Sequence, residues 1–301
     1  MKSDNNWYGH RSIFSKYIGQ KDKPSFSSIQ HGYLNRFFLN NRLRLPKIKS
    51  IPYLCWNQEV KNRFNNLGFE NVHIVGAPFV YLSKKLKLKR IKNNNNILFF
   101  PPHSSVDIEK QKINHNELIK KLMKIYSKKR ITVCLYYSDY KNKEVVNNFK
   151  KKGLRTISIV ERKNNNSLEN LYREIYNNDH VVVCDISSVC FYAMFLKKKV
   201  RVLLKDDNKS YLTNQTNNEG IKFTSYFKKK HPELFKKGLD PKKGYSVACN
   251  HLGYRYLRSK AELKKLLGWD SAYKNFLAKT LAFYYDIKYG KRFRLGKKVN
   301  R

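Results

Sequence analysis

The stretch VVVCDISSVCFYAMFLKKKVRVLL, residues 181–204, decides how this chain is read. Val181 to Asp185 is apolar almost throughout, as expected of a strand covered on both faces. Asp185-Ile186-Ser187-Ser188 interrupts it with residues that turn and cap. Ser188 to Leu196 then has helical length, and Val200 to Leu204 is a second apolar strand. A strand, a helix and a strand in so short a span form a βαβ unit, which requires a parallel sheet.

The same alternation extends upstream. Ile97–Phe100, Ile131–Tyr137 and Thr156–Val160 read as strands. Helices are expected between them at Glu117–Tyr126, Val145–Lys152 (closed by Gly153) and Leu168–Tyr176. Residues 83–96, with the basic run Lys84–Lys92 and the polar patch Asn93–Asn96, read as a linker. Ahead of it the pattern is shorter. His10–Ile18 is helical, with Ile13, Phe14, Tyr17 and Ile18 on one face. A strand-like piece ends at His31-Gly32, and residues 33–49 are basic and irregular. Ile51–Trp56 is a strand, Gln58–Leu67 a helix stopped by Gly68, and Asn71–Val75 a strand halted at Gly76-Ala77-Pro78. Downstream, 205–250 is mixed and mostly polar, and 255–289 reads as helical with an aromatic end at Phe283, Tyr284, Tyr285 and Tyr289.

Composition narrows the function classes. With 41% apolar and 14% aromatic residues the chain can bury a core. Lys and Arg number 63 against 22 Asp and Glu, a net charge of +41, so polyanions are attracted: a phosphorylated substrate, an anionic leaflet or nucleic acid. The enrichment in Lys, Asn, Ile, Tyr and Phe also matches A/T-rich codons, which puts part of this charge on solvated faces. Cys55, Cys134, Cys184, Cys190 and Cys249 have no CxxC spacing and are odd in number, so they read as thiols of a reducing compartment. No run reaches ~18 apolar residues, and Met1–Tyr8 has no apolar core of a secretory signal. Cytoplasmic residence is expected.

In an open parallel sheet, ligands bind where strands end at their carboxyl side. Those positions carry His31-Gly32, Gly76-Ala77-Pro78, Pro101-Pro102-His103-Ser104-Ser105 and Asp185-Ile186-Ser187-Ser188. At the last, a helix N-terminus offers free N–H groups and positive dipole to a phosphate, with two hydroxyls to help; Ser187 as a plain N-cap is the equal alternative. His31 can serve as a general base or contact an acceptor phosphate, or be a loop histidine without a role. His103 and Ser104, after a rigid Pro-Pro turn, could face a diphosphate. There is no Walker A loop, GxGxxG, HExxH or DxD, so neither a metal nor a cofactor is expected.

Ile29-Gln30-His31-Gly32, Trp56 to Gly68, Val75-Gly76-Ala77-Pro78, Phe100-Pro101-Pro102 and Asp185-Ile186-Ser187-Ser188-Val189, in that order, resemble the GT-B enzymes of bacterial surface-polysaccharide synthesis. The match is to the group that holds the CDP-glycerol glycerophosphotransferases and related capsule enzymes. It runs from about Ile29 to Leu204, and the tail His251–Trp269 resembles the closing region of capsule-related GT-B proteins. The resemblance implies a GT-B-like α/β fold of two Rossmann-like lobes with parallel sheets, the first abbreviated, followed by C-terminal helices. It divides the chain into an acceptor-side lobe (1–90), a donor-nucleotide lobe (91–250) and a helical segment (251–301). It implies that Ser187 and Ser188 bind donor phosphate beside His103 and Ser104, that His31 is the catalytic base, and that Gly32, Gly76, Pro78 and Asp185 shape the cleft. The chain departs from the family at Ile186, where an aromatic is usual, and at Phe79, in place of an arginine. Sugar and glycerol-phosphate donors therefore both remain open.

The expected function is transfer of a glycosyl or polyol-phosphate group from a nucleotide-activated donor to a cell-surface polysaccharide. The acceptor would be a glycan or lipid-linked, and the basic clusters would hold the protein at the inner, anionic face of the membrane. The alternatives are a non-catalytic scaffold with a remnant transferase fold and a polyanion- or nucleic-acid-binding protein; no nucleic-acid-binding motif is present, and nucleic acid is not the expected partner.

Overall fold

A computed structural model describes residues 4–33, 50–86, 88, 95–102, 114–126, 130–161, 163–204 and 218–281. His103 and Ser104 lie outside them.

Two parallel sheets organise the chain. The first has the order β1 (Ser28–Ile29), β2 (Tyr53–Cys55), β3 (Val72–Ile74), with Ser28 opposite Tyr53 and Leu54 opposite His73. The second contains β4 (Ile97–Phe100), β5 (Ile131–Tyr136), β6 (Arg155–Val160), β7 (His180–Val183) and β8 (Lys199–Val202). Its order is β6-β5-β4-β7-β8, all parallel. Counted within the lobe this is 3-2-1-4-5, the Rossmann order, and its direction reverses between β4 and β7. The expected architecture of two Rossmann-like lobes, the first abbreviated, with helices following, is the one observed.

Helices join the strands. In the first lobe α1 (His10–Ile18) precedes β1, α2 (Gln58–Asn66) lies between β2 and β3, and α3 (Pro78–Lys85) follows β3. In the second, α4 (His115–Ile125), α5 (Tyr137–Lys141), α6 (Lys143–Lys150), α7 (Ser167–Tyr176) and α8 (Ser188–Phe195) occupy the crossovers. Local chemistry sets their starts. The Asn57 side chain accepts the Val60 N–H, and Asn114 accepts that of Glu117, each satisfying a donor that the first helical turn leaves over. The strand does halt ahead of Gly76-Ala77-Pro78, β3 ending at Ile74, and Pro78 also opens α3, where its missing N–H and fixed φ cost nothing.

The region 205–250 is more helical than its polarity suggested. It holds α9 (Asn218–Lys230), α10 (Glu233–Lys236) and α11 (Pro241–His251). Phe223 and Phe227, four residues apart in α9, are buried among lysines, and Phe227 lies edge-on to Phe191, 5.8 Å away. In α11 the Asp240 carboxylate accepts the N–H groups of Lys242 and Lys243. The chain then crosses to the first lobe through α12 (Lys260–Leu266), which starts in a capping box of Ser259 and Glu262, and α13 (272–281). The Trp269 indole donates to the Pro24 carbonyl at 3.0 Å.

One buried cluster runs through both lobes, from Leu54, Trp56 and Phe79 to Phe191, Tyr192 and Phe195. Phe79 stacks on Tyr192 with ring centres 4.0 Å apart and planes 7° off parallel. Phe79 is thus the contact through which α3 of the first lobe meets α8 of the second.

Where the C-terminal segment crosses, backbone meets backbone. Gly253 has φ +68°, and a Cβ there would lie 1.7 Å from the Trp56 carbonyl oxygen. Gly19 has φ +84° but open space around it. Gly19→Ala should therefore cost only backbone strain, about 1 kcal/mol. Gly253→Ala should cost more than about 3 kcal/mol, since backbone must move. Urea unfolding of the two variants measures the contrast; equal losses would contradict this packing.

Candidate functional site

In a doubly wound sheet the ligand crevice lies where the strand order reverses, here at the carboxyl ends of the paired strands β4 and β7, and Asp185-Ile186-Ser187-Ser188 follows β7 directly. Ser187 is the N-cap of α8, with extended backbone (φ −127°, ψ 178°), yet its hydroxyl makes no capping bond. The Ser187 carbonyl accepts the Cys190 N–H at 3.1 Å. The N–H groups of Ser188 and Val189, which the helix cannot use, have no acceptor among the described residues. An unused hydroxyl, two unused amides and a helix dipole thus share one partly exposed spot.

The Asp185 carboxylate is engaged within the protein. Its Oδ1 accepts the Ile186 N–H at 2.7 Å, and the Thr224 hydroxyl of α9 lies 3.4 Å from the same oxygen. Burial pushes its pKa up to about 6, and those two hydrogen bonds hold back a larger rise.

The first lobe reaches the same helix end. Past β1, the buried Gln30 ties the strand to its surroundings: its amide oxygen accepts the Trp56 N–H at 3.0 Å, and its amide nitrogen donates to the Gly32 carbonyl at 2.8 Å. Its backbone carbonyl accepts the Trp56 indole N–H at 3.1 Å and faces His10 Nδ1 at 3.2 Å. Beyond this strut, the Tyr33 N–H donates to Ser188 Oγ at 2.8 Å. The Tyr33 hydroxyl hydrogen-bonds His251 Nδ1 at 3.0 Å, and its ring lies 4.4 Å from that of Phe191. The buried Tyr192 hydroxyl lies close enough to Ser188 for the serine to oppose the rise in its pKa that burial causes. His31 stands between Gln30 and Gly32 on this loop, partly exposed, with the Trp7 ring edge-on at 4.2 Å.

Of the residues singled out from sequence, Gly32 and Ser188 are brought together, a Cβ on Gly32 falling 3.9 Å from Ser188 Oγ. His31, Ser187 and Asp185 are adjacent to that contact in the chain. Gly76 lies elsewhere: a Cβ there would be 2.9 Å from the Gly253 carbonyl oxygen, and the next N–H, that of Ala77, donates to the Leu252 carbonyl at 2.8 Å. Pro78 belongs to the first turn of α3. Sequence reasoning did not reach Tyr33, Trp7 or Thr224, and it quoted Gln30 and His251 only within motifs, without a role at the site. Tyr33 and Gln30 flank His31-Gly32 and could have been read with it. Thr224 and His251 meet the site across 39 and 218 residues of chain, and no local pattern marks them.

No family model matches the chain, and no curated protein sequence matches it. Sixteen solved chains match in structure. UDP-GlcNAc 2-epimerase from Neisseria meningitidis, bound to UDP-GlcNAc, is 14% identical with a TM-score of 0.41, over 72% of this chain and 61% of that one. S. aureus TarM, in complex with fondaparinux, alpha-GlcNAc-glycerol and UDP, is 12% identical with a TM-score of 0.36, over 85% and 52%. The wall teichoic acid polymerase TagF is 13% identical with a TM-score of 0.35, over 89% and 69%. The chain thus spans 61% and 52% of the length of the first two. At these scores the likeness adds nothing to the chemistry, which rests on the residues above.

The buried titrating groups oppose one another. Burial holds His10 and His251 down at about 4, against an ordinary 6.5. Their stabilising contribution is complete above pH 6.5 and is lost as pH falls toward 4. Asp185 is raised from 3.8 to about 6, so its contribution is complete below pH 3.8 and is lost as pH rises through 6. Between pH 6.5 and 4 it offsets the histidines. Asp185→Asn should therefore make the acid loss of stability steeper, as read from urea midpoints across that range. An unchanged slope would contradict the assignment.

Proposed function

We propose that the protein is a GT-B-type transferase, moving a glycosyl or polyol-phosphate group from a nucleotide-activated donor to a cell-surface polysaccharide acceptor, a glycan or a lipid-linked one. The reading places it in the cytoplasm, attached peripherally at the inner face of the membrane. The observation that carries it is the start of α8. At a Rossmann switch point, the unused Ser187 hydroxyl and the free amides of Ser188 and Val189 form an anion seat, and a loop of the other lobe closes beside it.

The donor diphosphate would lie on that helix end. Amides and hydroxyl stabilise the negative charge that grows on the phosphate as its bond to the transferred group breaks. The nucleotide needs no metal for this step in the reading offered. His31, on the loop closing from the first lobe, would take the proton from the acceptor hydroxyl as it attacks. The Trp7 ring limits the orientations open to the imidazole. Asp185, bonded to Ile186 and Thr224, keeps its carboxylate off the anion seat and shapes the turn.

Thermal shifts with CDP, UDP and GDP and their activated donors test the reading. One base series should raise the melting temperature of the wild type, and Ser187→Ala should weaken that nucleotide at least about tenfold while leaving the unliganded melting temperature in place. Ser187 suits this test because its hydroxyl holds no structural bond. No shift with any nucleotide would move the reading to a scaffold or a polyanion-binding protein.

A further inference from the structure

At the amino-terminal end of the first sheet, the end of α12 and the start of α13 stand beside Phe26, whose N–H donates to the Leu267 carbonyl at 3.0 Å. Phe26, Pro52 and Asn71 stand just ahead of β1, β2 and β3. With His73, and with Lys265 and Lys274 from the two helices, they line a cavity of about 310 Å3. The cavity has an apolar floor in Phe26 and Pro52, an amide–imidazole pair in Asn71 and His73 (2.7 Å apart), and two lysines.

The helix beside this cavity carries the most exposed large hydrophobic side chains of the described residues. Tyr273 is 70% exposed and Phe276 65%. They are three apart in α13, so they share a face, and Ala278 on the opposite face is buried. Lys279 is exposed next to them. On α12, α13 and the turn between them, Lys260, Lys264, Lys265, Lys274 and Lys279 outnumber Glu262 and Asp270, and Glu262 is taken up by Arg258 at 3.3 Å. The Lys23 ammonium adds charge at this edge, 5.9 Å from the Trp269 ring. The sequence continues in kind after residue 281, with Phe283, Tyr284, Tyr285 and Tyr289 followed by Lys291, Arg292, Arg294, Lys297 and Lys298.

The geometry points to this face as the surface that docks on an anionic lipid bilayer. Aromatic rings that are apolar at the body and polar at the tip partition to the lipid–water boundary, and lysines around them are drawn to acidic headgroups. A lipid phosphate enters the cavity between Lys265 and Lys274, with Tyr273 and Phe276 in the headgroup layer. Charge complementarity selects this occupant: an aromatic pair ringed by lysines suits a polyanionic sheet with an apolar interior better than a neutral protein face. Among the described residues no helix is long and apolar enough to cross a membrane, so this contact lies on the bilayer. Docked here, the chain keeps the crevice, at the other end of the sheet, open to a nucleotide. The assignment rests on the membrane part of the reading above and not on its chemistry; the nucleotide panel can succeed where vesicle binding fails, and the reverse.

Co-sedimentation of the full chain with phosphatidylcholine vesicles, with and without phosphatidylglycerol, tests it at physiological ionic strength. The wild type should bind the anionic vesicles and leave the neutral ones. Tyr273→Ser/Phe276→Ser, which changes no charge, and Lys265→Glu/Lys274→Glu should each weaken binding roughly tenfold. Tyr140→Ser, an exposed aromatic of the other lobe, should leave it unchanged. Should either double variant melt early, Phe276→Trp gives a second readout: its emission should be quenched by brominated acyl chains. Wild-type binding that survives Tyr273→Ser/Phe276→Ser, an equal loss in Tyr140→Ser, or an unquenched Trp at position 276 would overturn the assignment. So would loss of binding to a single-stranded oligonucleotide in these variants with vesicle binding intact.

Discussion

One hydrogen bond joins the two halves of this molecule at the place where chemistry would occur. The Tyr33 N–H, just past the first strand, donates to the hydroxyl of Ser188, the first residue of α8, across 155 residues of sequence. Everything near it is arranged to keep it. Gln30 fixes the strand end from both sides of its amide, and the Tyr33 ring is packed on Phe191 while its hydroxyl meets His251. One turn further along α8, Tyr192 is stacked on Phe79 of the first lobe. A buried amide that loses its acceptor costs about 1–3 kcal/mol, so this contact holds only while both lobes keep their relative position. Each sheet gives one face to a buried cluster that both share, and they meet at the proposed anion seat.

The charge of the chain takes its place around that core. A net charge of +41 disfavours compaction by self-repulsion, and the ion pairs among the described residues, such as Lys16 with Glu169, are partly exposed and weak. Stability must come from buried apolar area, and the aromatic chain Tyr33–Phe191–Phe227–His251 supplies much of it around α8. The excess lysine is left on the surface, where counter-ions or an anionic partner offset it. Neutral buried His10 and His251 fit the same economy, since a further buried positive charge would be strongly disfavoured here.

The second lobe was legible in the sequence because its strands are mostly apolar and alternate with helices of about ten residues. Val181–Val183 is buried at every position, as its sequence requires, and Val200 and Val202 flank the half-buried Arg201 of the edge strand; the serine pair between the two strands pointed to the end of the sheet where the proposed site lies. The helices of 205–250 were not legible. Their buried positions are few and separated by lysines, as with Phe223 and Phe227, or are small, as with Gly244 and Ala248. The helix that Pro78 opens was not legible either, because a proline that follows a strand and one that starts a helix look alike without the chain around them. The site was half visible. His31-Gly32 and Ser187-Ser188 announce themselves by residue type at strand ends, whereas Tyr33, Trp7 and His251 acquire meaning only through contacts that cross between distant parts of the chain.

The most direct test of a seat assembled by both lobes is amide hydrogen exchange of residues 30–33 and 187–190, with and without a nucleoside diphosphate. If the end of the first strand and the start of α8 form one site, both segments should become protected together on binding. Protection confined to one of them, or to neither, would contradict the account.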